Sequence, residues 1–221
     1  MTDRKTFLER VRRPLNRAYG AAPGEARPVV DEAVARLVGV SDDLTSVFIR
    51  EARASGMLVH ESSAATLGDD VLTVLREAKA KRIALACEAE GLVASLQTVL
   101  KHAGLTVLDG AVGGTLDQQF DCDAGLSDVV AAIAETGTLV YASSTRHSRG
   151  PSLIPPMHLA VVRREQIVAD LLDYFGNLQS ASGPNLPSSV ALITGPSKTA
   201  DIEGILVTGV HGPGTVHIFV V

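Results

Sequence analysis

The stretch RIALACEAEGLVASLQTVLKHAGLTVL, Arg82 to Leu108, decides how this chain folds. Ile83 to Cys87 is an unbroken apolar run of strand length, Gly91 to Ala103 reads as a helix, and Leu105 to Leu108 is a second apolar run. Strand, helix and strand joined by short connections make a βαβ unit, which brings its two strands together in parallel. The rhythm extends both ways. Upstream, Met57–His60 reads as a strand and Asp69–Lys79 as a helix. Downstream come an expected helix from Ser127 to Ala134, strands at Thr138–Tyr141 and His158–Val162, and a helix from Glu165 to Phe175. Val190–Ile193 and Val216–Val221 supply the closing strands. The expected class is therefore α/β, a mainly parallel sheet with flanking helices.

The first 55 residues have a different character. Phe7, Leu8, Val11 and Leu15 fall near helical spacing in residues 1–20, until Gly20–Gly24 breaks the pattern. Residues 42–55 suggest a second helix, with Ser41 as its cap and Gly56 as its stop. The expected organisation is a helical arm over 1–55 and an α/β domain over 56–221.

Composition narrows the function classes. Of the 221 residues 46% are hydrophobic and only 4% aromatic, without tryptophan, so an aromatic platform for stacking nucleic-acid bases is not expected. A net charge of −5 argues against binding a phosphate backbone. Arg4, Lys5, Arg10, Arg12, Arg13 and Arg17 cluster at the amino end, where they suit a solvated helix face or a local docking patch. No apolar run approaches the ~20 residues of a membrane span and no secretory core opens the chain, so the expected location is cytoplasmic. Two cysteines, Cys87 and Cys122, are too few for a four-cysteine iron–sulfur cluster or a zinc ribbon. Cys87 reads as a small buried hydrophobe. Cys122, between Asp121 and Asp123, has a thiol that like charges push up. The histidines fit no HxxxH or HExxH zinc spacing, and no GxSxG, Walker or GxGxxG motif follows a strand.

In open parallel sheets, ligands bind beyond the carboxyl ends of the strands. On that rule three places qualify. The first is the turn Glu135-Thr136-Gly137-Thr138, where hydroxyls can donate and glycine permits close backbone approach; a plain turn explains it equally. The second is the irregular stretch 142–156, ASSTRHSRGPSLIPP, whose Arg146, Arg149 and hydroxyls, Ser152 among them, suit a carboxylate or phosphate, with His158 just beyond. The third is GPSKTADIEGILVTGVHGPG, Gly195–Gly214. There Ile202, Ile205, Leu206 and Val210 suggest a helix after the turn, with Ser197 or Thr199 as cap and Lys198 beside an anion-binding helix start. Asp201 and Glu203 serve either ligand hydroxyls or the helix dipole, and His211 with Gly212 begins the turn into the last strand.

ETGTLV (135–140), SLIPPMHLAVV (152–162), GPSKTADIE (195–203) and GVHGPG (209–214) together resemble the LUD domain of the lactate-utilisation C family over residues 56–221. The resemblance implies a fold similar to the glucosamine-6-phosphate deaminase, ribose-5-phosphate isomerase and coenzyme A transferase group. It also implies a role in oxidising L-lactate to pyruvate alongside iron–sulfur partner subunits; because this chain lacks a cysteine cluster, it is itself expected to bind no cofactor or metal. The motif residues become the expected ligand site: Glu135, Thr136, Gly137 and Thr138; Arg146, Ser152 and His158; Gly195, Ser197, Lys198, Thr199, Asp201 and Glu203; His211 and Gly212. The ligand expected there is a small carboxylate or phosphate-bearing molecule. No acid, base or nucleophile is assigned. Two other functions stay open. One is a self-sufficient acyl- or coenzyme A-transferase-like or phosphosugar isomerase-like enzyme using Glu135 or Asp201; the other is an assembly or regulatory module docked by the basic arm.

Overall fold

The computed structural model describes residues 3–13, 31–39, 42–109, 115–144, 147–182, 187–202 and 205–221. It divides into two compact units, Met1–Arg36 and Leu37–Val221. In the first, α1 (Arg4–Arg12) is capped by Asp3, whose Oδ1 accepts from the backbone N–H of Lys5 at 2.7 Å. Phe7 and Val11 of that helix are exposed, and a four-residue helix, α2 (Glu32–Ala35), follows. Leu15 and the Gly20–Gly24 break lie outside the described residues.

The second unit begins with α3 (Leu44–Ala54), β1 (Leu58–Glu61), α4 (Leu67–Glu77), β2 (Arg82–Ala86), α5 (Glu90–His102) and β3 (Thr106–Asp109). Next come α6 (Leu116–Phe120), β4 (Ala124–Asp128), β5 (Ala131–Ile133), β6 (Thr138–Ala142), α7 (Gly150–Leu153), β7 (Met157–Val162) and β8 (Ile167–Val168). The chain closes with α8 (Leu171–Ser182), β9 (Val190–Ile193), β10 (Lys198–Ile202), β11 (Ile205–Thr208) and β12 (Thr215–Val220). The main sheet has the order β1-β12-β7-β4-β2-β3, and all its pairs are parallel. A second sheet, β8-β5-β6-β9, is mixed, and β10 with β11 forms a separate antiparallel hairpin.

Burial on both faces explains why the main strands are continuous apolar runs. Along β7, Leu159 and Val161 join one core with α4 and α5, while Ala160 and Val162 join the other with α3 and the second sheet. Phe48, Ile49 and Ala52 of α3 sit in that second core, so a helix that the sequence reading groups with the arm packs as part of the α/β unit. Ser41, its expected cap, lies outside the described residues; Asp43 caps the helix, accepting from the backbone N–H of Thr45 at 3.1 Å.

Three expected helices are corrected. Ser127–Ala134 forms the end of β4 and all of β5. Asp128 does not cap a helix of its own there; its carboxylate reaches sideways to accept from the backbone N–H groups of Glu88 and Ala89, at 2.8 and 3.1 Å, where α5 begins. Glu165–Phe175 starts with a 3-10 turn, Arg164–Gln166, and then β8, whose Ile167 pairs with Ala132; the helix proper begins at Leu171, where Asp170 accepts from the Asp173 N–H. In the third case Lys198–Ile202 and Ile205–Thr208 pair as the antiparallel strands β10 and β11, with Lys198 opposite Thr208 and Thr199 opposite Val207. Thr199, Ile202, Ile205 and Val207 are β-branched and favour strands, and Ile205 and Leu206 are 63% and 60% exposed, so no inward helical face exists.

Candidate functional site

The third of the sequence-selected places lies at the opposite end of the sheet from the one expected. β9 runs antiparallel to β6 in the second sheet, and its carboxyl end delivers Gly195 and Pro196 to α3's last residues and the start of β1. The chain then returns to the start of β12, where the Ser197 N–H donates to Pro213 O at 2.8 Å and the Gly214 N–H to Pro156 O at 2.9 Å. These contacts gather 194–197, 211–213 and 152–153 around the amino ends of β7 and β12. They border an open cavity of about 230 Å³ lined by Ser152, Gly195, Ser197, His211 and Gly212 together with Thr194, Leu153, Leu192, Ile193, Pro213 and Val216. Among the described residues, no carboxylate or lysine lines it. Ser197 Oγ and the His211 ring have no hydrogen-bond partner among the described residues, so both are available to a ligand. Because residues 198–202 are a strand, the anion-binding helix start expected beside Lys198 does not form. Lys198 and Thr199 stand on the hairpin, outside the lining. Asp201 is a backbone position of β10, and Glu203 lies outside the described residues.

The turn 135–138 abuts this region but does not open onto the cavity. Thr136 and Thr138 share a hydrogen bond of 2.7 Å between hydroxyls, and Thr138 shares another of 2.7 Å with Thr194. The hydroxyls that suggested ligand donors are thus spent in a chain tying two strands together. Gly137 adopts φ 63°, and a Cβ there would overlap the backbone nitrogen of Ala52; Gly195, at φ 95°, approaches Ser55 O in the same way. The close backbone approach is to α3, not to a ligand. Glu135 is fixed through its N–H on Ala169 O and lines neither this cavity nor the larger one described below.

The stretch 142–156 runs from one edge of the sheet to the other. Ser143 and Ser144 are at the carboxyl edge, Thr145 and Arg146 lie outside the described residues, and α7 carries Ser152 to the amino edge. Beneath it is a buried polar cluster. His158 Nε2 is 2.9 Å from Ser127 Oγ and 3.4 Å from the Tyr141 hydroxyl, and the Tyr141 ring also contacts His147. Burial, reinforced by neighbouring His147, pushes the His158 pKa down to about 3, and burial raises that of Tyr141. His158 Nδ1 has no partner, so no carboxylate orients the ring as a triad would require. A serine–histidine pair that is neutral, sealed and unoriented organises the core and does not act as a nucleophile.

Sequence reasoning missed a second, larger cavity. About 590 Å³ in volume, it lies beyond the carboxyl ends of β2, β4 and β7, where the parallel-sheet rule points. Glu88, Ser143, Ser144, Glu165, Gln166, Tyr174 and Asn177 supply its polar lining, and Val130, Ala131, Val168, Leu178 and Pro187 are among its apolar walls. Glu88 is positioned by its neighbours: its N–H donates to the buried Asp128, and Ser144 Oγ donates to its Oε2 at 2.6 Å. The signal was present, since Glu88 stands two residues past the end of β2.

Compared with known proteins, residues 45–221 match the family model described as LUD domain. The chain is 30% identical to lactate utilization protein C of Halalkalibacterium halodurans, over 95% of this chain and 94% of that protein. It is 42% identical to lactate utilization protein C of Bacillus subtilis over 37% of this chain and 35% of that one. Among solved structures, a DUF162 family protein of Deinococcus radiodurans superposes with a TM-score of 0.58 at 22% identity, covering 80% of this chain and 96% of the other, which supports the fold alone.

Proposed function

Since the chain belongs to the LUD domain family, we propose that it is the non-redox subunit of an L-lactate utilisation system and holds a small carboxylate, L-lactate or pyruvate, in the amino-edge cavity. The observation that carries the reading is that residues of two family-like motifs, Gly195 and Ser197 of one and His211 and Gly212 of the other, meet with Ser152 around one compact cavity whose described lining residues include no carboxylate. A buried anion is costly unless donors meet it. Here Ser197 Oγ–H and a His211 ring N–H are the donors, Thr194 and Ser152 complete the polar wall, and Leu153, Leu192 and Val216 give the methyl end of the ligand an apolar wall.

Electron transfer belongs, on this proposal, to iron–sulfur partner subunits. Cys87 lies beyond the carboxyl end of β2 and Cys122 before the amino end of β4, at opposite edges of the sheet, so they cannot ligate one cluster together. Both thiols are buried and pushed up by that burial, with Asp128 adding to the effect at Cys87 and Asp123 and Asp121 at Cys122. The chain's own part is to bind and orient the carboxylate. Calorimetric titration with L-lactate and pyruvate tests this directly: saturable binding should weaken about tenfold in Ser197→Ala, as for a hydrogen bond to a charged group. Equal affinity in the variant, together with unchanged growth on L-lactate after deletion of the gene, would remove the proposal.

A further inference from the structure

The carboxyl-edge cavity is unlike the amino-edge one in size, place and charge, and its chemistry points to a different ligand. We propose that it binds the ribose of a nucleoside without phosphate, with Glu88 accepting hydrogen bonds from the vicinal hydroxyls and the apolar wall covering the base.

Four observations converge. At about 590 Å³ the cavity has the volume of an organic ligand-binding site, well above what a three-carbon acid fills. It lies beyond the carboxyl ends of parallel strands, and the carboxylate two residues past β2 is placed as acidic residues that accept ribose hydroxyls are placed in doubly wound sheets. That carboxylate is held in a built arrangement. Buried Asp128 fixes the Glu88 and Ala89 backbone, and the Ser144 hydroxyl occupies Glu88 Oε2 at 2.6 Å, leaving Oε1 and the second lone pair of Oε2 for ligand donors. Finally, Tyr174 borders the cavity and is only 6% exposed, so its aromatic ring adds to the wall that covers the base.

Charge sets the class. Glu88 and Glu165 line the cavity and, among the described lining residues, no lysine, arginine or histidine does. Gln166 is already committed, its amide donating to Val129 O and its carbonyl accepting from the Arg163 N–H, so it serves as wall. Such a lining repels phosphate and carboxylate and accepts neutral hydroxyl and amine donors. Val130, Val168, Leu178 and Pro187 offer an apolar body the surface it needs.

The test is calorimetric titration of the full chain with adenosine, AMP and L-lactate. Adenosine should bind saturably, AMP about tenfold more weakly or worse, and Glu88→Gln should lose about tenfold in adenosine affinity while keeping its melting temperature, since Glu88 is exposed. Adenosine affinity should be unchanged in saturating L-lactate. Absence of saturable adenosine binding, AMP binding as tight as adenosine, an unaffected Glu88→Gln protein, or displacement by L-lactate would each overturn the proposal. The lactate titration alone reports on the amino-edge cavity, so failure of one reading is distinguishable from failure of the other.

Discussion

The two edges of the main sheet are built by different means. At the amino edge, backbone meets backbone: Gly137 and Gly195 press against α3, Gly214 hydrogen-bonds Pro156, and a threonine chain locks the second sheet beside them. The cavity left over is small, and its described lining residues include no carboxylate. At the carboxyl edge, side chains meet side chains, and Asp128, Glu88 and Ser144 hold open a cavity more than twice as large, with acidic residues in its lining. The contrast teaches that a motif-dense stretch does not mark its ligand's position by itself. Glycine-rich motifs at the amino edge are required by packing, whatever they bind.

The comparison breaks most visibly at Gly137. Gly137→Ala forces a side chain into the left-handed region and into the Ala52 backbone, so we expect a loss of about 3 kcal/mol or more by urea denaturation. If the glycine instead served ligand approach, stability would hold and only lactate binding would suffer. Next in size, Ser127→Ala strips His158 Nε2 of its nearer partner at a site 0% exposed, and should cost about 1–3 kcal/mol without moving either ligand's affinity. A change in adenosine or lactate affinity larger than twofold would mean that the buried cluster couples the edges. Thr138→Val removes both hydroxyl links in the threonine chain and should cost about 1–2 kcal/mol, read by the same denaturation.

Much of the architecture was legible in the sequence for a physical reason. Strands buried on both faces must be continuous apolar runs, so Ile83–Cys87, His158–Val162 and Val216–Val221 announce themselves, and glycine-bounded helices between them leave little choice but a parallel sheet. The failures share a cause too. At 127–134, 165–175 and 198–208 the local pattern is short and ambiguous, and partners distant in sequence decide: α5's backbone takes Asp128, β5 takes Ile167, and β11 takes Thr199. The site was half legible. Ser152, Gly195, Ser197, His211 and Gly212 do converge, but the edge they occupy depends on β9 running antiparallel to β6, which no local pattern encodes. Glu88 carries no motif, and only its place past a strand end singles it out.

The smallest expected effect concerns the histidines on the strands that connect the edges. His60 on β1 and His217 on β12 stack, with Nε2 and Nδ1 3.0 Å apart, and Phe219 stacks on His60. Burial, then the neighbouring His60, lowers the His217 pKa to about 4; burial and Arg53 lower that of His60 against the opposing pull of Asp70 and Glu77. In the unfolded chain both imidazoles titrate near 6.5. Between about 6.5 and 4 the unfolded state therefore binds protons that the folded state refuses, and stability falls as pH falls, levelling once His217 protonates in the fold. His158, depressed further, contributes to the same decline in any variant that retains it. Replacing His217 with Gln should accordingly flatten part of the fall in melting temperature across that window and leave the rest. Because the pair is only partly buried, the flattening is modest; an unaltered slope would show that His217 contributes none of the acid sensitivity of this fold.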